Sequence, residues 1–374
     1  MMNSPAPRAA DAQALADATR LAAEVLAPNA TAHDASGTFP LASLRAIAAA
    51  GLLGMAIARD YGGLDLAYLT QAHVFAALAE GDLTSAFIAS QHQACTTLVS
   101  SSSDEAQRAR WLPGLADGTL HGGNGFNFLN FPPERAPMRA EPVVGGYRWR
   151  GALPWVTAAH HADLLVAGAV LPDGLQILAA IPLRERLASN DPTISVEAPM
   201  DLVALAASDT TVVHCADHFV AAADVLLGPG PNLLKSTARG ATSYVPTAMT
   251  LGHARHCLHV IEDAAAHKGG TNTTMATWLR GEIAQFDADL TAALQVSDFD
   301  QAPILRGRGN ALAARAAHLA LIASGGTGYR RDQLAQRLYR EAGFFSVWSA
   351  SGAVIPETLT HLLDFGPAHA ETVG

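Results

Sequence analysis

The stretch Ser324 to Ser351, SGGTGYRRDQLAQRLYREAGFFSVWSAS, gathers residues able to meet a ligand. Gly325 and Gly326 break an Ala- and Leu-rich helical run, and Gly328 follows two residues on. Such a glycine cluster lets backbone come close to a flat or phosphorylated molecule. A new helix is expected from near Arg331, with Leu334, Leu338, Ala342, Phe345 and Ser349 on one face. His92 is the second residue with chemistry to offer. It lies in the apolar run from Thr84 to Val99, between Gln91 and Gln93, where an imidazole can serve a site near neutral pH or sit as a satisfied core histidine. His160-His161 and the pair His214 and His218 stand in β-rich surroundings with no clustered carboxylate, so they read as solvent-facing and no metal site is expected. Cys95, Cys215 and Cys257 are odd in number and far apart, which gives neither a disulfide framework nor a zinc pattern. A reducing cytoplasm is the simplest setting.

The elements that must position these residues change character twice along the 374 residues. Up to about residue 120 the chain reads as helical, with an amphipathic helix after Phe39-Pro40 that stops at Gly51. Helices follow from about Leu69 to Leu78 and from Thr84 to Val99; the second is apolar all round and belongs at the centre of a bundle. Asp104 can cap a short helix that carries Trp111 and ends at Pro113-Gly114. From 121 to 230 short β-rich runs alternate with turns such as Gly145-Gly146 and Pro172-Asp173-Gly174, which reads as a compact antiparallel β domain. From 231 onward four helical segments, Thr247–Lys268, Met275–Val296, Ile304–Ala323 and Arg331–Trp348, predict a four-helix bundle. Hydrophobic content of 49% against 16% charged residues marks a globular chain. A net charge of −10 argues against non-specific nucleic-acid binding. The opening MMNSPAPRAADAQ lacks the apolar core of a signal peptide, and no apolar run reaches membrane-spanning length.

In order and spacing this layout resembles the acyl-CoA dehydrogenase superfamily: an α+β chain with an N-terminal helical domain (1–120), a middle β domain (121–230) and a C-terminal helical bundle (231–374). The resemblance is carried by Phe-Pro, Gly-Leu-Leu-Gly and Tyr-Gly-Gly near the start, by Gly325-Gly326-x-Gly328-Tyr329, and most sharply by Tyr147-x-x-x-Gly-x-x-x-Trp155-x-Thr157. It implies bound FAD, with Trp155 against the flavin ring and Thr157 bonding a flavin edge atom. It implies that Gly325 and Gly326 contact the cofactor through backbone. Lys268 occupies the place of an arginine that reaches the flavin pyrophosphate, often from a neighbouring subunit; a lysine keeps the charge and loses the bidentate fork. A homodimer or homotetramer is expected, as is an electron-transfer flavoprotein or a flavin reductase as partner.

The departures from the family pattern are chemical. The family's Thr-Glu-Pro-x-x-Gly-Ser-Asp loop falls near Asn124 to Phe131, where this chain has NGFNFLNF. The catalytic glutamate of the C-terminal loop is replaced by Ser349, and its alternative address on the first bundle helix holds Thr242 beside Ser243. Removing an α-proton from a thioester requires a positioned base, and losing one costs about 10²–10⁴ in rate. Substitutes to consider are His92, Glu341 and Glu357. The expected function is a flavin-dependent oxidoreductase acting on the CH–CH group of an acyl thioester or similar substrate. Two rivals remain. One is a reduced-flavin-dependent monooxygenase on an aromatic substrate, for which Phe126, Phe345 and Trp348 would line the pocket; the other is a non-catalytic binding subunit.

Overall fold

A computed structural model describes residues 8–236, 244–348 and 352–363. Ser349, Thr242 and Ser243 lie outside the described residues.

The N-terminal part holds α1 (Ala9–Leu21), continued through a π segment into α2 (Ala27–Ser36), then α3 (Leu41–Ala49), α4 (Tyr68–Gly81), α5 (Leu83–Ser100) and α6 (Glu105–Asp117). Asp82 fixes the start of α5: its carboxylate accepts from the backbone N–H of Thr84 at 3.1 Å and of Ser85 at 3.2 Å, satisfying donors that a helix N-terminus leaves open. Helix α5 is buried along nearly its whole length, as its apolar composition predicts. The expected stop at Pro113 does not occur; α6 runs through Pro113 and ends where Gly118 turns left-handed at φ 77°. A proline inside a helix costs a hydrogen bond, and burial of Trp111, Leu112 and Leu115 on both sides of it offsets that loss.

The middle part is an eight-stranded sheet: β1 (Gly122–Gly125), β2 (Met138–Val143), β3 (Gly146–Val156), β4 (Leu164–Val170), β5 (Gln176–Ile181), β6 (Ile194–Val196), β7 (Thr211–Ala221) and β8 (Val225–Gly230). A short α7 (Leu183–Ala188) joins β5 to β6. The order is β6-β7-β3-β2-β4-β5-β8, with β1 also on β4. Most pairs are antiparallel, but β1 pairs β4 in parallel and β2 meets β4 in parallel at one register point. The sheet is therefore mixed, where an antiparallel one was expected. β1, β2 and β8 carry too little alternating apolar pattern to be read from sequence; β1 is GGNG.

After α8 (Leu233–Ser236) the C-terminal part packs α9 (Val245–Lys268), α10 (Thr271–Gln295), α11 (Ala302–Ser324) and α12 (Leu334–Phe345), with α13 (Val354–Leu363) against α11. The bundle thus has a fifth helix beyond the four expected. α12 begins at Leu334 instead of Arg331, because a 3-10 turn over Gly325–Tyr329 and a bend take up the intervening residues. Gly252 lets α9 lie against α4: a Cβ there would stand 1.9 Å from the Ala76 carbonyl oxygen. Among the described residues no helix is long and apolar enough to cross a membrane.

Candidate active site

Two facing turns, 155–160 at the end of β3 and 205–210 before β7, hold four of the nine left-handed non-glycine residues among those described. Trp155 (φ 61°), Ala158 (φ 55°), Leu205 (φ 58°) and Asp209 (φ 51°) are all left-handed and none is glycine. Each such residue costs about 1–3 kcal/mol and persists only where its surroundings over-determine it, which is typical of ligand-contacting turns. The surroundings here are specific. Ala158 N–H donates to the Ser208 carbonyl at 3.0 Å and Ala159 N–H to the Asp209 carbonyl at 3.2 Å. The β3–β7 register slips between Leu153 and Val156, a bulge that re-aims the side chain within it. As a result Trp155 is 61% exposed, although it lies on the same strand as the fully buried Trp149. Its indole is not a core residue.

Two residues on, Thr157 is buried, and its hydroxyl lies 3.1 Å from that of Thr210, which lies 2.8 Å from that of Ser208. Donation from Ser208 to Thr210 to Thr157 is one direction open to this relay. It leaves the Thr157 proton free for an acceptor outside the relay.

An aromatic group belongs to the apolar cluster that includes Ala158, Leu205 and Phe345. Phe344 stacks on Trp348 with ring centroids 5.2 Å apart, and Phe87 of α5 meets both rings edge-on at 5.0 and 5.1 Å. Phe345 is fully buried. Beneath them Arg306 of α11 is only 5% exposed. Its Nη2 donates to the carbonyls of Phe345 at 3.2 Å and Trp348 at 3.1 Å, capping the C-terminus of α12 with a cation. Burial lowers its pKa to about 9. The structure does not bring Phe126 into this group. It packs with Phe128 and Leu129 in the middle-domain core, with its Cβ over Gly168.

The glycine turn and the lysine do meet. Lys268, at the end of α9, donates to the Ala323 carbonyl at 3.4 Å, one residue before the end of α11 and two before Gly325. A Cβ placed on Gly325 or Gly326 would meet nothing within 4 Å, so this turn is open to an approaching group.

His92 has both ring nitrogens engaged by backbone. Nε2 donates to the Leu115 carbonyl at 3.1 Å, and Nδ1 accepts from Gly122 N–H at 3.0 Å, tying α5 to α6 and β1. Complete burial lowers its pKa to about 4, so the ring is neutral and occupied as a clamp. Glu341 is equally enclosed, beside Arg337 at 3.5 Å and His253 at 3.9 Å; burial raises it to about 7. Glu357 sits on α13 against Gly307. Of the histidines expected to face solvent, His218 is buried, with Nδ1 2.7 Å from the Thr193 hydroxyl, and His161 stacks on Phe39 at 3.7 Å. Asp209 and Arg306 went unnoticed in the sequence. Neither sits in a motif, and each becomes visible only through the partners that folding gives it.

Comparison with known proteins places this architecture. Residues 9–119 match the family profile described as acyl-CoA dehydrogenase, N-terminal domain. A probable acyl-CoA dehydrogenase of Bacillus subtilis is 21% identical over 88% of this chain and 91% of its own length. The (2S)-methylsuccinyl-CoA dehydrogenase of Cereibacter sphaeroides is 26% identical over 39% of this chain, which spans only 27% of that relative's length. Among solved structures, butyryl-CoA dehydrogenase from Megasphaera elsdenii superposes with a TM-score of 0.81 at 18% identity, covering 98% of this chain and 99% of that one. Dibenzothiophene monooxygenase from Paenibacillus sp. A11-2 does so with a TM-score of 0.75 at 18% identity, covering 96% and 95%. The class defined by helices, mixed sheet and helical bundle is the acyl-CoA dehydrogenase fold. Residues 9–119 carry the N-terminal domain of that family, and the chain as a whole shares its fold.

Proposed function

We propose that this protein is an FAD-dependent oxidoreductase of the acyl-CoA dehydrogenase type, acting on the CH–CH group of an acyl thioester or a similar substrate. The observation that carries the reading is the exposed Trp155 indole, held out by a strained bulge two residues before a buried hydroxyl relay at Thr157. These residues fit a flavin: a flat apolar surface for one ring face and a hydroxyl with a proton to give a ring-edge acceptor. The open glycine turn at Gly325 and Gly326, with the Lys268 ammonium beside it, fits the pyrophosphate end.

The chemistry supplied by a bound flavin is acceptance of two electrons from a C–H bond. What the chain adds is positioning. Trp155 would cover a ring face, Thr157 would donate to the ring edge, and Phe344 and Trp348 would exclude water. Ser349 occupies the address of the usual base. A hydroxyl has little basicity at neutral pH, so thioester dehydrogenation is expected to be slow relative to enzymes with the glutamate. His92 and Glu341 are enclosed in packing and take no step in this reading.

A second reading is a reduced-flavin-dependent monooxygenase acting on an aromatic substrate. It is favoured by the rings of Phe87, Phe344 and Trp348 at the same cluster and by the fold shared with a dibenzothiophene monooxygenase. In either reading a homodimer or homotetramer is proposed. An electron-transfer flavoprotein would serve the first and a flavin reductase the second.

Anaerobic titration of the FAD-loaded protein tests the choice. Bleaching of the visible flavin bands by an acyl-CoA supports the dehydrogenase. Reduction only through an added reductase, followed by oxygen-dependent hydroxylation of an aromatic probe, supports the monooxygenase. A protein with no affinity for FAD rejects both and leaves a non-catalytic binding subunit.

A further inference from the structure

His160 and Asp209 form an oriented pair that the flavin reading does not use. Asp209 spends both carboxylate oxygens on this one residue. Oδ2 accepts from the His160 backbone N–H at 2.8 Å, and Oδ1 faces the ring Nδ1 at 2.7 Å. Asp209 is itself buried and held left-handed by the facing turns, so the ring has one orientation. A carboxylate acceptor at Nδ1 selects the Nδ1–H tautomer of the neutral imidazole, which leaves the lone pair on Nε2. Nε2 has no partner among the described residues, and the His160 side chain remains 38% exposed. It lines a cleft of about 370 Å³ with Leu187, Asp191, Ile194, Ser195 and Val196, contributed by α7, the following turn and β6.

A half-exposed base fixed by a carboxylate, on a residue lining a cleft that mixes apolar and polar walls, is an arrangement for general-base work. We propose that this cleft is a second ligand site, beside the Trp155–Thr157 turn, in which His160 takes a proton from the acidic hydroxyl of a small phenol. In the step the ligand O–H bond breaks and an Nε2–H bond forms. The imidazolium produced faces Asp209, the oxyanion is left in the cleft, and the proton later passes from Nε2 to solvent. Leu187, Ile194 and Val196 supply the apolar wall for the body of the ligand. The proposal rests on the geometry of these two turns and holds whether or not the chain binds FAD.

The probe is 4-nitrophenol, whose anion is yellow, added to the flavin-free protein at a pH below the phenol's own pKa. The expected result is a saturable rise in the anion band, with nitrobenzene competing weakly. His160→Asn is the matched variant, because its amide N–H reproduces the Nδ1 donor to Asp209 while removing the Nε2 acceptor. It should keep the Trp155 emission and the melting temperature of the parent and bind the probe about tenfold or more weakly, with no anion band. Absence of saturable binding to the parent protein, binding without the anion band, or an equal response in His160→Asn overturns the proposal. If His160→Asn unfolds, the same comparison is made by 15N NMR of the parent ring, where the probe must shift Nε2 and nitrobenzene must not.

Discussion

Asp34 on α2 grips the Arg340 guanidinium on α12 through both carboxylate oxygens, Oδ1 on Nη1 at 3.0 Å and Oδ2 on Nη2. The same guanidinium donates to the Val203 carbonyl and, through Nε, to Gln336 at 2.9 Å. One side chain thus ties the N-terminal helices, the turn before Leu205 and the bundle together. Asp34→Asn should lower stability by about 1–3 kcal/mol, because a charge-assisted bidentate pair is lost and Arg340 is partly exposed and keeps its other acceptors. Urea midpoints of parent and variant check this, and an unchanged midpoint contradicts it.

Acid should destabilise the fold through buried imidazoles. His92 and His253 have pKa values lowered to about 4 and His256 to about 3, each chiefly by burial. The unfolded chain takes up these protons near the ordinary value of about 6.5, so their stabilisation is complete above that pH and is lost as pH falls toward the folded values. Glu341, raised to about 7 by burial, acts in the opposite direction between about 7 and its ordinary value. The histidines outnumber it, so stability should fall with pH over this window. His92→Gln should cost about 1–3 kcal/mol at neutral pH through the lost clamp. It should also flatten the slope by about 1.4 kcal/mol per pH unit between roughly pH 6 and 4.5. Denaturant titrations at a series of pH values measure both.

Two helical glycines should respond in opposite ways to alanine. At Gly252 the new methyl would collide with the Ala76 carbonyl, whereas at Gly281 it would meet nothing within 4 Å. Gly252→Ala should destabilise by about 1–3 kcal/mol or more as α9 is pushed off α4. Gly281→Ala should stabilise by about 0.5–1 kcal/mol through helix propensity. Melting temperatures of the two variants shifting in the same direction would refute the account.

Trp155→Ala should weaken FAD binding by about tenfold, the scale expected for losing an aromatic face. Fluorescence titration of the flavin measures it. Since the indole is exposed, the melting temperature without flavin should hardly change. Unchanged flavin affinity removes Trp155 from the site.

Ser349→Glu should restore a carboxylate at the usual address without producing strong acyl-CoA dehydrogenation. The Asn124 to Phe131 segment still lacks the hydroxyls of the family loop and places Phe126 and Phe128 in the core. Robust anaerobic bleaching of the flavin by an acyl-CoA in this variant would sink that argument.

Residue pattern alone set out most of the long helices and five of the eight strands. Apolar periodicity marked α4, α5 and the long bundle helices, because a helix of that length must bury a stripe wherever it packs. Trp155-x-Thr157 and the Gly325-Gly326 turn were legible as motifs, and the replacement of the usual glutamate by Ser349 was legible as a residue type. The tertiary structure decided what the chain pattern does not encode. GGNG became a strand only because β4 offers it a ladder to join. His92 was a possible base in sequence and became a clamp once Leu115 and Gly122 took both nitrogens. His160 was one of two adjacent histidines until Asp209, 49 positions away, fixed its ring. A side chain's chemistry depends on which donors, acceptors and water it faces, and those neighbours come from parts of the chain that only folding brings together.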